Sequence, residues 1–177
     1  VNNVTSTTDY CGNAIYENGS LKMLLNEAGY ISFPDKKFHF YLKDHQGNIR
    51  VVADKDGYVE ETNDYYPFGG LFTASRGVQP YKYNGKELDR KNGIDWYDYG
   101  ARMYDATLGG WTTIDPQSEK LYTVSPYTYC INDPIKHRDP DGEFPWIAGL
   151  IGVELIILPR LQLIGWKESL GRNPLLM

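Results

Sequence analysis

The chain has 177 residues, which is enough for one domain or for one domain with a tail. Its net charge of −5 argues against nucleic acid as a partner, because phosphate binding requires a basic surface. The 15 tyrosines and 18 glycines favour a broad, half-exposed β surface over a dense aliphatic core, since each Tyr joins an apolar ring to a hydroxyl that needs a partner.

Residues 1–75 are predicted to form successive antiparallel β-hairpins. The dipeptides Asn18-Gly19 and Asp56-Gly57 favour type I′ turns, because these residues tolerate the positive φ that both central positions require. Runs of β-branched and aromatic residues between the turns are expected to be strands. They are Phe38 to Leu42, Ile49 to Ala53 and Tyr58 to Thr62.

The run SLKMLLNEA at 20–28 has the propensity of a helix, but we predict a strand, because Asn18-Gly19 and Gly29 bracket it like two hairpin turns. A weak internal repeat supports this prediction. The sequence DYCGN at 9–13 returns as DHQGN at 44–48, a period of 35 residues, and an apolar stretch and a turn follow each copy. A repeated hairpin is what a stacked β array requires.

Residues 76–142 form a second region in which Tyr, Trp and Gly stand at close intervals. Strands are expected at 95–99 and 100–104, and the Pro-rich segment 125–142 is expected to be an ordered loop with a short helix. Turns are predicted at Asn84-Gly85, Asn92-Gly93 and Gly109-Gly110.

Residues 143–177 form a third region, an apolar tail with little Tyr, for which a helix is one alternative. The apolar run from Trp146 to Leu158 contains Glu154, and Pro159-Arg160 follows it. Because a membrane-spanning helix needs about 20 apolar residues, we favour an interfacial segment or the start of a truncated effector over a membrane span.

The sequence contains no pattern typical of a metal or cofactor site, and we predict neither. The two cysteines, Cys11 and Cys130, lie far apart and form no CxxC pair, which excludes a zinc ribbon and a thioredoxin motif. Two separate thiols are the favoured interpretation, and a single disulfide stays open. The histidines are scattered, and the glycines follow Asn or Asp as in hairpins rather than opening a phosphate-binding helix.

Three motifs in order carry a resemblance to a known family: YKYNGKELD, then GIDWYDYGARMYDATLGGWTTIDP, then SPYTYCINDPIKHRDPDG. Together they resemble the RHS repeat-associated core domain, and their amino-acid sequence is similar to versions of it from Bacteroidetes. The segment YLKDHQGNIRVVADKDGYVEETNDYYPFGG resembles the YD repeats that precede such a core. Proteins with this core are related to the C subunits of toxin complexes and to the YD shells of teneurins.

The resemblance implies a mainly β fold in which successive hairpins form part of an RHS/YD-repeat β-shell. Residues 1–75 would supply YD-type hairpins, residues 76–142 the core or plug, and residues 143–177 a variable tail. In bacterial members an effector follows the Asp-Pro-x-Gly motif, and many of them cleave themselves just after it.

The resemblance also indicates an aspartic-protease-like pair, Asp115 in TTIDP and Asp139 in RDPDG, 24 residues apart. Two carboxylates held close together do not both ionise readily, so one keeps a proton and the pair can activate water. Arg138 is the favoured residue for stabilising a carboxylate or an oxyanion, and Arg102 is a weaker candidate. The alternative is that each Asp-Pro is simply a turn, since Asp accepts backbone N–H bonds there.

The leading hypothesis is therefore the end of an encapsulating β-shell in an RHS-repeat polymorphic toxin, with self-cleavage after Gly142 and a role in interbacterial competition. The expected partners are the rest of its own shell, an effector cargo, an immunity protein and secretion machinery, and the expected location is secreted or at the cell surface within a larger protein. Glu143-Phe144 and Gln117-Ser118 depart from the family pattern. A non-catalytic structural or surface-binding fragment, or an orphan truncated cassette, is the alternative, and no other enzyme activity is expected.

Overall fold

The computed structural model describes residues 6–74, 77–120, 123–143 and 146–147. Eight antiparallel strands form one sheet in which every strand pairs with its neighbours in the sequence. They are β1 (Thr8–Cys11), β2 (Ala14–Glu17), β3 (Ser20–Asn26), β4 (Gly29–Ser32), β5 (Lys37–Lys43), β6 (Ile49–Asp54), β7 (Val59–Tyr65) and β8 (Leu71–Ala74). The predicted series of hairpins and the predicted strand in the run 20–28 are both confirmed.

Two smaller sheets lie in the second region. A four-stranded sheet has the order β12-β11-β10-β9, and a two-stranded sheet pairs β13 with β14. Their strands are β9 (Glu87–Asp89), β10 (Trp96–Asp98), β11 (Met103–Asp105), β12 (Gly110–Trp111), β13 (His137–Arg138) and β14 (Trp146–Ile147). Single turns of 3₁₀ type lie at Tyr83–Gly85, Lys91–Gly93, Ser118–Lys120 and Cys130–Asn132.

The hairpin turns agree with the prediction at one position and depart from it at another. Asn18 and Gly19 have φ of 50° and 77°, as a type I′ turn requires. At Asp56-Gly57 only Gly57 is left-handed, so the predicted type I′ turn is wrong there. The Asp54 carboxylate accepts hydrogen bonds from the N–H groups of Asp56 and Tyr58, both at 2.9 Å, and this favours a longer turn that ends in a left-handed glycine.

The short helix expected within 125–142 is a single 3₁₀-type turn at Cys130–Asn132, and its backbone is left-handed. Cys130, Ile131 and Asn132 all have left-handed backbones, with φ of 47°, 55° and 58°. Asp133 stands directly before Pro134, and a residue in that position is disfavoured in the right-handed helical region. The 3₁₀-type turn therefore ends at Asn132 and does not continue as a longer helix.

One face of the large sheet forms the first core. It packs a cluster of buried side chains against Tyr81 of the next segment, and the cluster consists of Ile15, Met23, Tyr30, Ile49 and Val52. A buried ion pair also joins the sheet to this segment, because the Lys82 ammonium contacts the Glu61 carboxylate at 2.5 Å with side chains 4% and 0% exposed. The second region is thus attached to the sheet by apolar and ionic contacts together.

The second core is aromatic, which differs from the half-exposed Tyr surface that the composition suggested. Tyr83, Tyr97 and Tyr104 are at most 1% exposed, and each hydroxyl finds a carbonyl in the turn between β7 and β8. These three hydrogen bonds run to Pro67, Gly69 and Phe68 at 3.0 Å or less. Because the hydroxyls are satisfied internally, the rings can leave water without an unpaired polar group.

Further expectations concern the cysteines, membrane crossing, metal binding and the apolar tail. Both cysteines are free, with Cys11 exposed and Cys130 buried. Within the described ranges, no helix is long and apolar enough to cross a membrane, and no group of three or more His, Cys, Asp or Glu side chains could hold a metal ion. The expectations for the apolar tail concern residues that, apart from 143 and 146–147, lie outside the described residues.

Candidate functional site

Asp115 lies just after β12, in a turn that fixes both its backbone and its side chain. Its N–H donates to the carbonyl of Pro126 at 3.1 Å. Its Oδ1 accepts a hydrogen bond from the N–H of Gln117 at 2.6 Å, which is the bond an Asp-Pro turn makes. The second carboxylate oxygen, Oδ2, stays available for a contact outside the turn.

Asp139 comes directly after β13 and is almost completely buried, with 1% of its surface exposed. Its Oδ1 accepts hydrogen bonds from the N–H groups of Gly142 at 2.7 Å and Asp141 at 3.3 Å. Burial raises the pKa of the Asp139 carboxyl to about 6, although these N–H groups and Arg102 favour its charged form. Asp139 is therefore the carboxyl that keeps a proton more readily than an ordinary aspartate.

Arg102 joins the two aspartates. Its Nη2 lies 3.2 Å from Oδ2 of Asp115 and 3.6 Å from Oδ2 of Asp139. Its Nε donates to the carbonyl oxygen of Gly142 at 2.5 Å, and its Nη1 donates to the carbonyl of Pro126 at 3.3 Å. One guanidinium thus holds both carboxylates and the last carbonyl of the DPDG motif.

The indole of Trp111 supports this guanidinium. The ring centre of Trp111 lies 4.1 Å from Cζ of Arg102, which is the geometry of a cation–π contact. Burial lowers the pKa of Arg102, while both aspartates favour its charged form. No sequence signal marked Trp111 as a site residue, although it stands in the motif that leads to Asp115.

Arg138, which the sequence favoured over Arg102, lies elsewhere. Its Nη2 donates to the carbonyl of Asn84 at 3.3 Å, and its guanidinium packs against Gly47 in the turn between β5 and β6. Successive residues of an extended strand point to opposite sides, so adjacency to Asp139 in the sequence separates the two side chains. Proximity along the chain was a poor guide to proximity in space here.

A cavity of about 20 Å³ lies against the site and is lined in part by Arg102, Asp115 and Asp139. A single water needs about 10–15 Å³ by this measure, so the cavity has room for one water beside both carboxylates. Trp111 and Cys130 also line it. The arrangement provides two carboxyls, of which Asp139 has a raised pKa, together with one fixed cation and space for a nucleophile.

No family model matches the chain, but individual proteins do. It is 36% identical over 101 residues to toxin subunit YenC2 of Yersinia entomophaga, which covers 54% of this chain and 10% of that protein. It is 34% identical over 116 residues to salivary gland surface protein 1 of Aedes aegypti, covering 63% and 3%. The match to the tRNA nuclease WapA of Bacillus subtilis is 28% over 119 residues, covering 63% and 5%.

Solved structures share the fold. A TcdB2–TccC3–Cdc42 complex matches with a TM-score of 0.64 at 22% identity, over 78% of this chain and 8% of that one. A Tc holotoxin pore of Photorhabdus luminescens matches with a TM-score of 0.64 at 23% identity, over 81% and 8%. The suspected resemblance to RHS/YD-repeat proteins is confirmed by these relatives and by the shared fold.

The predicted mainly β fold, with hairpins like those of a β-shell, is confirmed. The segment spans at most about a tenth of the length of the relatives and structures compared. The relatives named as toxin subunits support the relation to RHS-family toxins. The roles of Asp115, Asp139 and Arg138 stay predictions.

Proposed function

We propose that this segment closes an RHS-type β-shell and that Asp115 and Asp139 cleave the chain just after Gly142. The observation that carries the proposal is the position of Arg102, whose guanidinium contacts both carboxylates and the Gly142 carbonyl oxygen. In a peptide hydrolysis that oxygen gains negative charge in the transition state, and a fixed cation at 2.5 Å is placed to stabilise it.

The two carboxyls divide the proton transfers. Asp115 takes a proton from a water in the cavity, and the water oxygen attacks the carbonyl carbon of Gly142. Arg102 stabilises the resulting oxyanion. Asp139, whose pKa is raised by burial, then gives its proton to the nitrogen of Glu143 as the C–N bond breaks. The products are a carboxylate at Gly142 and a free amine at Glu143.

The proposed biological role is the containment and release of the polypeptide on the C-terminal side of the cleavage site. The partners would be the remainder of the segment's own shell, an effector cargo, an immunity protein and secretion machinery. Relatives named as toxin subunits, a nuclease and a surface protein support a secreted or surface-exposed toxin. The setting that we propose for it is interbacterial competition. Since the segment spans a small part of each relative, these partners belong to the whole protein.

The alternative is a non-catalytic segment that serves only as structure or as a surface-binding part. The relative named as a salivary gland surface protein is compatible with this alternative. The same contacts of Arg102 would then simply neutralise two buried aspartates. Glu143, which stands where the family usually has Leu or Met, also favours it.

Denaturing electrophoresis of the natural polypeptide that contains this segment separates the two functions. Cleavage predicts a new amino terminus at Glu143, identified by mass spectrometry. We expect Asp115→Asn and Asp139→Asn to slow its appearance by about 100-fold or more, the usual size of an acid–base contribution. The matched control is Asp133→Asn, because Asp133 also precedes a proline but is 39% exposed. An intact wild-type polypeptide after prolonged incubation would rule out self-cleavage.

A further inference from the structure

A second group of side chains, remote in sequence from the aspartates, has the geometry of an activated serine. Ser32 ends β4 and His39 lies on β5, where Tyr30 pairs with His39 and Ser32 pairs with Lys37. The alternation of side chains places Ser32 and His39 on the same face of the sheet as diagonal neighbours. Ser32 Oγ lies 2.9 Å from Nε2 of His39.

The other ring nitrogen of His39 is held by a carboxylate. Nδ1 lies 2.5 Å from Oε2 of Glu60, which reaches across from β7. The imidazole also stacks on the ring of Tyr30, with centroids 4.2 Å apart and planes 9° from parallel. A nucleophile within reach of a base, with the base oriented by a third group, is the general signature of nucleophilic catalysis.

The three residues also differ in their exposure to solvent, and the nucleophile is more exposed than the base, as nucleophilic catalysis requires. His39 is buried, the Glu60 side chain is 27% exposed, and Ser32 is half-buried at the edge of a turn. The base is therefore shielded from water, while a small molecule can reach the nucleophile. The ammonium of Lys37 lies 3.4 Å from the Asp35 carboxylate, which in turn is 3.1 Å from Ser32 Oγ. The Asp35 carboxylate beside the hydroxyl is thus itself paired with an ammonium.

We propose that Ser32, His39 and Glu60 form a serine-nucleophile site that accepts an acyl group from a small carboxylic ester. Ser32 Oγ attacks the acyl carbon while its proton passes to Nε2 of His39, and the ester C–O bond breaks as His39 returns that proton to the leaving alcohol. Water then hydrolyses the acyl-serine by the same proton route. Glu60 contacts Nδ1 of His39 and so fixes the orientation of the imidazole.

Asp35 competes with His39 for the hydroxyl proton, because Ser32 Oγ donates to its Oδ1 in the resting arrangement. We expect Asp35→Asn to leave the reaction intact or to accelerate it, since the amide is a weaker acceptor than the carboxylate. The site does not involve Asp115 or Asp139. It is consequently independent of self-cleavage, and Asp115→Asn should react at the wild-type rate.

The test uses the full chain with a fluorophosphonate reagent and, separately, with p-nitrophenyl acetate. We expect an adduct on Ser32, located by peptide mass spectrometry, and none on Ser20, an exposed serine at the start of β3. His39→Gln should slow labelling by about 100-fold, which is within the usual range for loss of a general base. Glu60→Gln should slow it by about 10-fold, which is less because Glu60 only orients that base. Circular dichroism should show that both variants keep their β structure.

A second variant keeps the proposal testable if His39→Gln unfolds. In Ser32→Cys, the new thiol should react with iodoacetamide at neutral pH faster than the exposed Cys11 of the same molecule, because a neighbouring imidazole promotes the thiolate. Equal reactivity of the two thiols, no adduct on wild-type Ser32, or labelling unaffected by His39→Gln in a folded chain would each overturn the site. A merely structural hydrogen-bond network gives these outcomes.

Discussion

At the scale of single residues, the buried Asp139 links stability to pH. Burial raises the pKa of its carboxyl from an ordinary value of 3.8 to about 6, so the folded chain binds this proton more tightly than the unfolded chain does. The resulting stability is fully present below about pH 4 and is lost as the pH rises through about 6. Above that pH the charged carboxylate stays buried, with Arg102 as its counter-ion.

Replacing Asp139 by Asn should remove this dependence. The free energy of unfolding of the wild type, relative to that of Asp139→Asn, should fall by roughly 2–3 kcal/mol between pH 4 and pH 7, at about 1.4 kcal/mol per pKa unit. Denaturant unfolding of both proteins at the two pH values measures it. All other titrating groups are shared, so they largely cancel in the difference. Parallel pH profiles for the two proteins would contradict the raised pKa.

At the scale of elements, the turn between β7 and β8 depends on a glycine in two ways. Gly69 has φ of +85°, and a Cβ built on it would lie 2.6 Å from Cδ1 of Tyr83. Gly57 has nearly the same φ, +86°, but a Cβ there meets nothing within 4 Å. A comparison of substitutions at Gly57 and Gly69 therefore distinguishes backbone strain from steric conflict with the aromatic core.

We expect Gly57→Ala to destabilise the chain by about 1 kcal/mol, the strain of a left-handed backbone. Gly69→Ala should add about 1–3 kcal/mol to this, because its methyl group forces Tyr83 out of a packed position. Thermal or denaturant unfolding of both variants gives the comparison. Equal losses would mean that the turn moves away from Tyr83 freely, although three tyrosine hydroxyls bond to its carbonyls.

The sequence predicted most of what depends on neighbouring residues. Asn18-Gly19 correctly placed a type I′ turn, and the two turns around the run 20–28 correctly made it a strand rather than a helix. The turn at Asp56-Gly57 was wrong in type because its form depends on the Asp54 side chain, which a dipeptide rule ignores. Local signals were thus sufficient for the order of strands but not for the detail of each turn.

The same limit applies to the candidate site. Asp115 and Asp139 were predicted as site residues because each precedes a proline in a family motif. In the structure both carboxylates contact the same guanidinium. The identity of that guanidinium, Arg102 and not Arg138, depends on which way strand residues point after folding. Likewise, the composition predicted that many tyrosines lie at a surface. It could not show that tyrosine hydroxyls bond to the β7–β8 turn, because these are long-range contacts.

At the scale of the whole molecule, the large sheet has one face covered and one face open. On β5, His39 and Tyr41 point toward the core, and alternate residues point to the other side. Those residues are Phe38, Phe40 and Leu42, which are 47%, 42% and 54% exposed. Ile31, Ala53 and Val51 stand directly opposite them on the neighbouring strands. The open face is therefore a continuous apolar surface, of the kind that soluble monomers seldom expose.

We expect the isolated chain to self-associate through this face and Phe40→Lys to reduce that association. A charge at the centre of the patch has to be desolvated when two apolar faces meet, while in the monomer it stays in water, so folding is little affected. Sedimentation velocity over a range of concentrations measures the effect. Leu108→Lys is the control, because Leu108 is 83% exposed but lies in the turn between β11 and β12 and not on a strand of the open face. A charge at this position should not change the association. If both variants behave alike, or if the wild type stays monomeric throughout, this face does not drive assembly.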